Sequence, residues 1–203
     1  MTARQQIDRA RPDQAWCVDL SGHLTAVAAT TDAQRSQGAF NAWGNSYPAE
    51  ELWFGGVRDI LGVPFRLPDK KTPESPDHLE ALGQVIPIAP CPLVSTLCLL
   101  ASGEMGEQEL LVDLWSTDGK RTRLQTLIPG WLLDGETTEL RAGCLCSHLH
   151  YPGDYELALL RPALHCRQLT LPAPADICKL RLHKNPLAHV FAMTLLRAEA
   201  CRG

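Results

Sequence analysis

The chain has 203 residues and a net charge of -4, and hydrophobic residues make up 45% of it. A chain of this length buries roughly two thirds or more of its unfolded surface, so it can build one core without disulfides or metals. The charges are interspersed without a basic stripe, which argues against nucleic acid or an anionic membrane as a partner. Residues 1–20 lack the apolar segment of a secretory signal, and no apolar run approaches the roughly 20 residues of a membrane span. We therefore expect a cytoplasmic protein.

The beginning of the chain carries few strand signals. Residues 1–14 are polar and Arg-rich and predict a flexible arm, and residues 15–198 predict a single domain. Trp16–Leu20 is typical of a first strand, whereas residues 21–39 are small and lack a helical period, so they predict mostly loop.

The stretch Phe40–Pro68 combines aromatic residues, carboxylates and several Gly and Pro breaks, which predicts an ordered loop. Trp43, Tyr47 and Glu50 are candidate ligand contacts, because aromatic faces beside polar groups suit a sugar ring or another flat, partly apolar ligand. The alternative is that these rings close one end of the hydrophobic core. Trp131, between two glycines, is a further candidate wall of the site, with core packing as its alternative.

Short apolar segments bounded by Pro or Gly dominate the remainder of the chain and predict an all-β protein. The Ser116–Gly119 turn, followed by alternating residues from Arg121, predicts a hairpin with Thr122, Leu124 and Thr126 on one face. We expect an antiparallel β-sandwich of jelly-roll type, with an up-and-down barrel as the alternative. The predicted strands are Leu82–Ile88, Leu93–Leu100, Glu109–Trp115, Arg121–Leu127, Gly143–His150, Glu156–Leu160, Ala163–Leu171, Ile177–His183 and His189–Leu196.

The most conspicuous local pattern is CLCSHLH, from Cys144 to His150. If it forms one strand, Cys144, Cys146, His148 and His150 share a face, but the outer two lie about 20 Å apart and cannot share one zinc ion. At most His148 and His150 chelate together with help from elsewhere, and we expect no metal. The eight cysteines are expected to be reduced and largely buried.

A second cluster follows in Tyr151, Asp154 and Tyr155, directly after the two histidines. Histidine beside a carboxylate can perform general acid and base chemistry, so His148, His150 and Glu50 are candidate catalytic groups, and Tyr151 and Tyr155 are candidate ligand contacts. The alternative is a solvent-facing loop without a catalytic role. Adjacent glutamates Glu50 and Glu51 point apart on an extended chain, so they do not predict a paired-carboxylate hydrolase.

Several segments together resemble a galactose-binding-domain-like β-sandwich, as found in accessory modules of bacterial glycoside hydrolases. The segments are VDLSGHLT, FNAWGNSYPAEEL, GVPFRLP, PDHLEALGQVIPI and ICKLRLHKNPLAHVFAMTL. The resemblance runs from about Val18 to Leu196 and implies a jelly-roll sandwich that binds carbohydrate.

Two functions follow as expectations. The first is a non-catalytic, freestanding domain that binds a carbohydrate or another small molecule. The second is a cofactor-free cyclase, lyase or isomerase of a specialised-metabolite pathway. No cofactor motif is present in the sequence, and a homodimer formed through exposed sheet edges is also considered.

Overall fold

The computed structural model describes residues 14–132, 142–152, 156–157 and 159–198. The described strands before residue 82 are two to four residues long, and the longest strands, of 19 and 20 residues, come later in the chain. A 3₁₀ turn lies at Ala49–Glu51. The strands are β1 (Ala15–Cys17), β2 (Ala29–Thr30), β3 (Tyr47–Pro48), β4 (Val57–Ile60), β5 (Val63–Arg66), β6 (Leu79–Ala81), β7 (Val85–Gly103), β8 (Gln108–Ser116), β9 (Arg121–Ile128), β10 (Ala142–Leu145), β11 (Leu149–His150), β12 (Glu156–Leu157), β13 (Ala163–Leu182) and β14 (Asn185–Arg197).

An eight-stranded sheet forms the frame, and the strand pairs recorded in it are antiparallel. Its main path runs β1-β14-β7-β13-β8-β9, while β10 pairs with β13 and β6 with β14. Three two-stranded pairs, β2-β3, β4-β5 and β11-β12, lie outside this sheet. The predicted antiparallel β-sandwich is therefore confirmed.

Two pairs of predicted strands are fused, which corrects the sequence-based boundaries. Residues 82–100 were expected to form two strands separated by prolines, yet β7 continues from Val85 to Gly103, and β13 likewise spans both strands expected between Ala163 and His183. The pairing of β7 with β13 shifts register between Thr170 and Lys179. These irregularities accommodate Pro residues that lack an N–H, so proline bends the strands without ending them.

The hairpin of β8 and β9 is confirmed. The strands pair from Gln108 with Ile128 to Trp115 with Arg121, and Gly119 adopts a φ of 85° in the turn. Leu124 and Thr126 are buried, whereas Arg121 and Arg123 are exposed on the opposite face. The two-residue alternation of the sequence is thus the alternation of the sheet faces.

The central strands are covered on both faces. In β7, Leu97 and Leu99 belong to one hydrophobic core and Cys98 and Leu100 to a second. In β14, residues 188–195 are all buried, which confirms the expectation of a strand covered on both faces. Each fully buried large side chain contributes roughly 1.5–3 kcal/mol. The second core fixes the segments between residues 28 and 67 against the sheet.

A chain of polar side chains crosses the interior beside the second core. Asp77, which is 0% exposed, accepts hydrogen bonds from Lys70 Nζ at 2.7 Å and His78 Nδ1 at 3.0 Å. His78 Nε2 lies 3.0 Å from His189 Nδ1. Burial acts to raise the pKa of Asp77, but His78 and Lys70 hold that pKa below its ordinary value. The chain of contacts links β6 to β14 and anchors the Ala28 region.

Of the seven described cysteines, Cys91, Cys98 and Cys146 are buried and the other four are half-buried. Within the described ranges, no helix is long and apolar enough to cross a membrane.

Candidate functional site

Two of the predicted aromatic contacts lie in the second core. Tyr47 is 0% and Trp131 3% exposed, and their ring centroids lie 5.4 Å apart. The Tyr47 hydroxyl donates to the carbonyl of Ala163 at 3.1 Å, and desolvation raises the pKa of Tyr47 well above its ordinary value. Phe40 and Phe191 pack around both rings. Tyr47 and Trp131 therefore pack in the core, which was the alternative to a ligand site, and neither ring has a face that a ligand could contact.

The remaining aromatic candidates do not form a platform with them. Trp43 is 58% exposed in a turn where its backbone N–H donates to Asn41 Oδ1 at 3.1 Å. Tyr151 is half-buried against the second core. Tyr155 and Asp154 lie outside the described residues.

The segment from Cys144 to His150 is not one strand, which corrects the expectation of a single four-residue face. β10 ends at Leu145 and β11 begins at Leu149, with Cys146 directed into the second core and His148 between the strands. His150 then pairs with Ser46 through two backbone hydrogen bonds of 3.0 Å. This pairing brings the two histidines beside β2, β3 and the 3₁₀ turn.

His150 is buried and held through both ring nitrogens. Its Nδ1 lies 2.9 Å from Thr30 Oγ1, which is itself 2.6 Å from Ser46 Oγ. Its Nε2 lies 3.0 Å from Asp32 Oδ1. Desolvation lowers the pKa of His150 below its ordinary value, although the hydrogen bond that His150 donates to Asp32 acts to raise that pKa.

Asp32 is the solvent-exposed partner of His150, since its side chain is 62% exposed. Arg35 Nη2 contacts Asp32 Oδ1 at 3.3 Å, and the backbone N–H of Asp32 donates to Glu50 Oε1 at 3.1 Å. Desolvation acts to raise the pKa of Asp32, but hydrogen bonds from Arg35 and His150 hold it below its ordinary value. Asp32 therefore carries a negative charge at neutral pH.

His148 lies on the other side of Asp32. Its Nε2 is 4.0 Å from Asp32 Oδ1, and its Nδ1 is 2.8 Å from Ser147 Oγ and 3.3 Å from Glu51 Oε1. Glu51 also accepts the backbone N–H of Ser147 at 2.7 Å and the Ser147 hydroxyl proton. Glu50 and Glu51 lie in the 3₁₀ turn and not on an extended chain as expected, so they contact different partners and yet both border the same cluster. We call Asp32, Glu51, His148 and His150 the rim cluster.

Sequence reasoning identified the two histidines and Glu50 but missed Asp32, Thr30 and Arg35. All three lie within residues 21–39, which were expected to be mostly loop. Thr30 and Asp32 precede His150 by 120 and 118 positions in the sequence. No local pattern marks them. A pocket of about 630 Å³ also exists, between the β8-β9 turn and residues 172–176, and none of its lining residues belongs to the rim cluster.

Fold and site together define a β-sandwich domain with a polar, histidine-containing cluster where three loops meet. The chain belongs to the AziU2-like beta-sandwich domain family, whose model matches residues 14–199. Among curated proteins, none matches the sequence.

Proposed function

We propose that the chain is a binding domain for a small, hydroxyl- or amine-rich molecule, and that the rim cluster is the binding site. The observation that carries this proposal is the convergence of Asp32, Glu51 and His148 from three separate segments, with side chains that are 62%, 29% and 17% exposed. Carboxylates accept hydrogen bonds from hydroxyl and ammonium groups, and such charged bonds contribute about 1.5–3 kcal/mol each.

The resemblance to galactose-binding-like modules supports a carbohydrate as the ligand. The ligand would be held by polar groups and not by a stacking platform, because Tyr47 and Trp131 are buried. The exposure of Asp32 supports binding at an open surface, where a ligand enters and leaves without a lid.

A cofactor-free enzyme acting on the same small molecule is the second candidate. It is favoured by the position of His148 between Glu51 and Asp32, since imidazole can pass a proton between a ligand and a carboxylate. A binding domain returns its ligand unchanged, whereas an enzyme converts it. Product analysis after incubation therefore separates the two candidates.

Calorimetric titration with a panel of neutral sugars, amino sugars and polyamines at millimolar concentration tests the proposal. We expect one class to bind and Glu51→Gln to weaken that binding at least 10-fold. Trp43→Ala is the matched control, because Trp43 is exposed and lies outside the rim cluster. The proposal is wrong if no member of the panel binds, or if Trp43→Ala abolishes binding that Glu51→Gln leaves intact.

A further inference from the structure

We infer that the rim cluster is a site for a divalent transition-metal ion, with Asp32, His148 and His150 as its three protein ligands. Each residue offers one ligand atom, and these atoms all lie within 4.8 Å of one another. This inference goes beyond small-molecule binding and departs from the sequence-based expectation of no metal.

The distances are close to those of a first coordination shell. Asp32 Oδ1 lies 3.0 Å from His150 Nε2 and 4.0 Å from His148 Nε2. Zinc bonds of about 2.0–2.2 Å in a tetrahedron place neighbouring ligand atoms roughly 3.3–3.6 Å apart. The ligand atoms of the two histidines lie at most 4.8 Å apart, so movement of the His148 and Asp32 side-chain tips, which are not fully buried, by up to about 1.5 Å brings the three atoms to bonding distance of one ion.

The second shell orients both histidines for this purpose. The single Ser147 hydroxyl proton is donated to Glu51, so Ser147 Oγ accepts from His148 Nδ1–H and His148 Nε2 presents its lone pair. A metal-bound histidine commonly has its other nitrogen held by a carboxylate or another polar group in this way. Glu51 is therefore a positioning residue.

Thr30 has the same role for His150. A metal ion at His150 Nε2 binds the neutral tautomer whose single ring proton lies on Nδ1, and that proton is donated to Thr30 Oγ1 at 2.9 Å. A hydroxyl can accept this bond while it donates its own proton to Ser46 Oγ, 2.6 Å away. No polar group of His150 is left without a partner in the metal-bound form.

Charge and ligand type select the ion. Asp32, Glu50 and Glu51 carry three negative charges and Arg35 one positive charge, which leaves two negative charges to balance a divalent cation. Two imidazoles and one carboxylate suit zinc or iron, whereas calcium and magnesium take oxygen ligands. Three protein ligands leave a coordination position open toward solvent, beside the exposed edge of Asp32.

The test is titration of the chelator-treated, reduced full chain with Zn²⁺, followed by the absorption spectrum with Co²⁺. We expect one ion per chain, with micromolar or tighter dissociation, and visible cobalt bands without thiolate-to-metal absorption. His148→Ala and Asp32→Ala should each weaken binding at least 100-fold, and Glu51→Gln 10-fold or more. The matched control is His183→Ala, whose imidazole contacts Asp113 outside the rim cluster and should leave affinity unchanged.

Thermal unfolding checks that the variants are folded. Neither the His148 nor the Asp32 side chain is fully buried, so we expect the alanine variants to fold. Absence of zinc binding at 100 µM overturns the inference. So does binding that survives in both His148→Ala and Asp32→Ala, or a cobalt spectrum dominated by thiolate. The sugar and amine panel is also titrated without metal, so failure to bind zinc does not decide whether the chain binds a small molecule.

Discussion

Asp77→Asn tests how strongly the buried polar chain stabilises the fold. The Asp77 carboxylate accepts four hydrogen bonds, from the N–H groups of Ala28 at 2.8 Å and Ala29 at 3.0 Å, and from Lys70 and His78. Asparagine keeps one acceptor oxygen, but it has an NH₂ group in place of the other, and this group faces N–H donors that it cannot accept from. The Lys70 ammonium, whose side chain is 8% exposed, then loses its counter-charge.

Breaking a buried ion pair by removing one partner costs about 3–5 kcal/mol. With a urea m-value of about 2 kcal/mol per molar, the unfolding midpoint should fall by roughly 1.5–2.5 M. Urea unfolding followed by circular dichroism measures the shift. Asp19→Asn, at an exposed carboxylate, is the control and should change stability by less than about 0.5 kcal/mol.

Addition of Lys70→Met to Asp77→Asn should restore part of the loss, because the unpaired charge is then absent. If Asp77→Asn does not fold, Lys70→Met alone provides the measurement, since it leaves Asp77 with three of its four donors. A midpoint within 0.5 M of the parent for both single variants would refute the proposed role of this ion pair.

Three further predictions concern stability. Burial lowers the pKa of His189 to about 3, so between that pH and about 6.5 the unfolded chain binds a proton that the folded chain does not. The free energy of unfolding should therefore fall by about 2 kcal/mol from pH 7 to pH 5. In urea titrations, His189→Gln should flatten this pH dependence. Gly119→Ala should cost about 1–2 kcal/mol because φ is 85°, whereas Gly22→Ala, in open space without positive φ, should be neutral; equal midpoints would contradict the turn geometry. Thr30→Val should cost about 1–3 kcal/mol by removing the hydroxyl beside His150, and an unchanged midpoint would show that this hydrogen bond does not form.

Features that depend on local pattern could be predicted from the sequence. The β8-β9 hairpin follows from a turn signal and two-residue alternation, and both-sided burial of β14 follows from its continuous apolar run. The boundaries of β7 and β13 could not be predicted, because bulges absorb prolines that usually end a strand. Whether Tyr47 lies in a core or at a surface also depends on tertiary contacts that no local pattern records.

The rim cluster was predictable only in part, for the same reason. His148 and His150 are conspicuous by residue type, whereas the carboxylate that lies between them comes from a distant segment. Asp32 itself is an ordinary exposed loop residue until the Ser46–His150 pairing brings it to 3.0 Å from the imidazole. The break between β10 and β11, which turns His148 toward Glu51, has no Gly or Pro signal in the sequence.

Backbone amide NMR during ligand titration tests the location of the site most directly. Asp32 is itself a residue of the proposed site, and the N–H of Ser147 donates to Glu51 and directly precedes His148, so a ligand bound at the rim cluster should shift both amide resonances. Our account predicts that Zn²⁺, or a sugar or amine that binds, shifts these two amides most strongly. Shifts confined to the Trp43 turn or to the pocket at residues 172–176, with Asp32 and Ser147 unchanged, would contradict it.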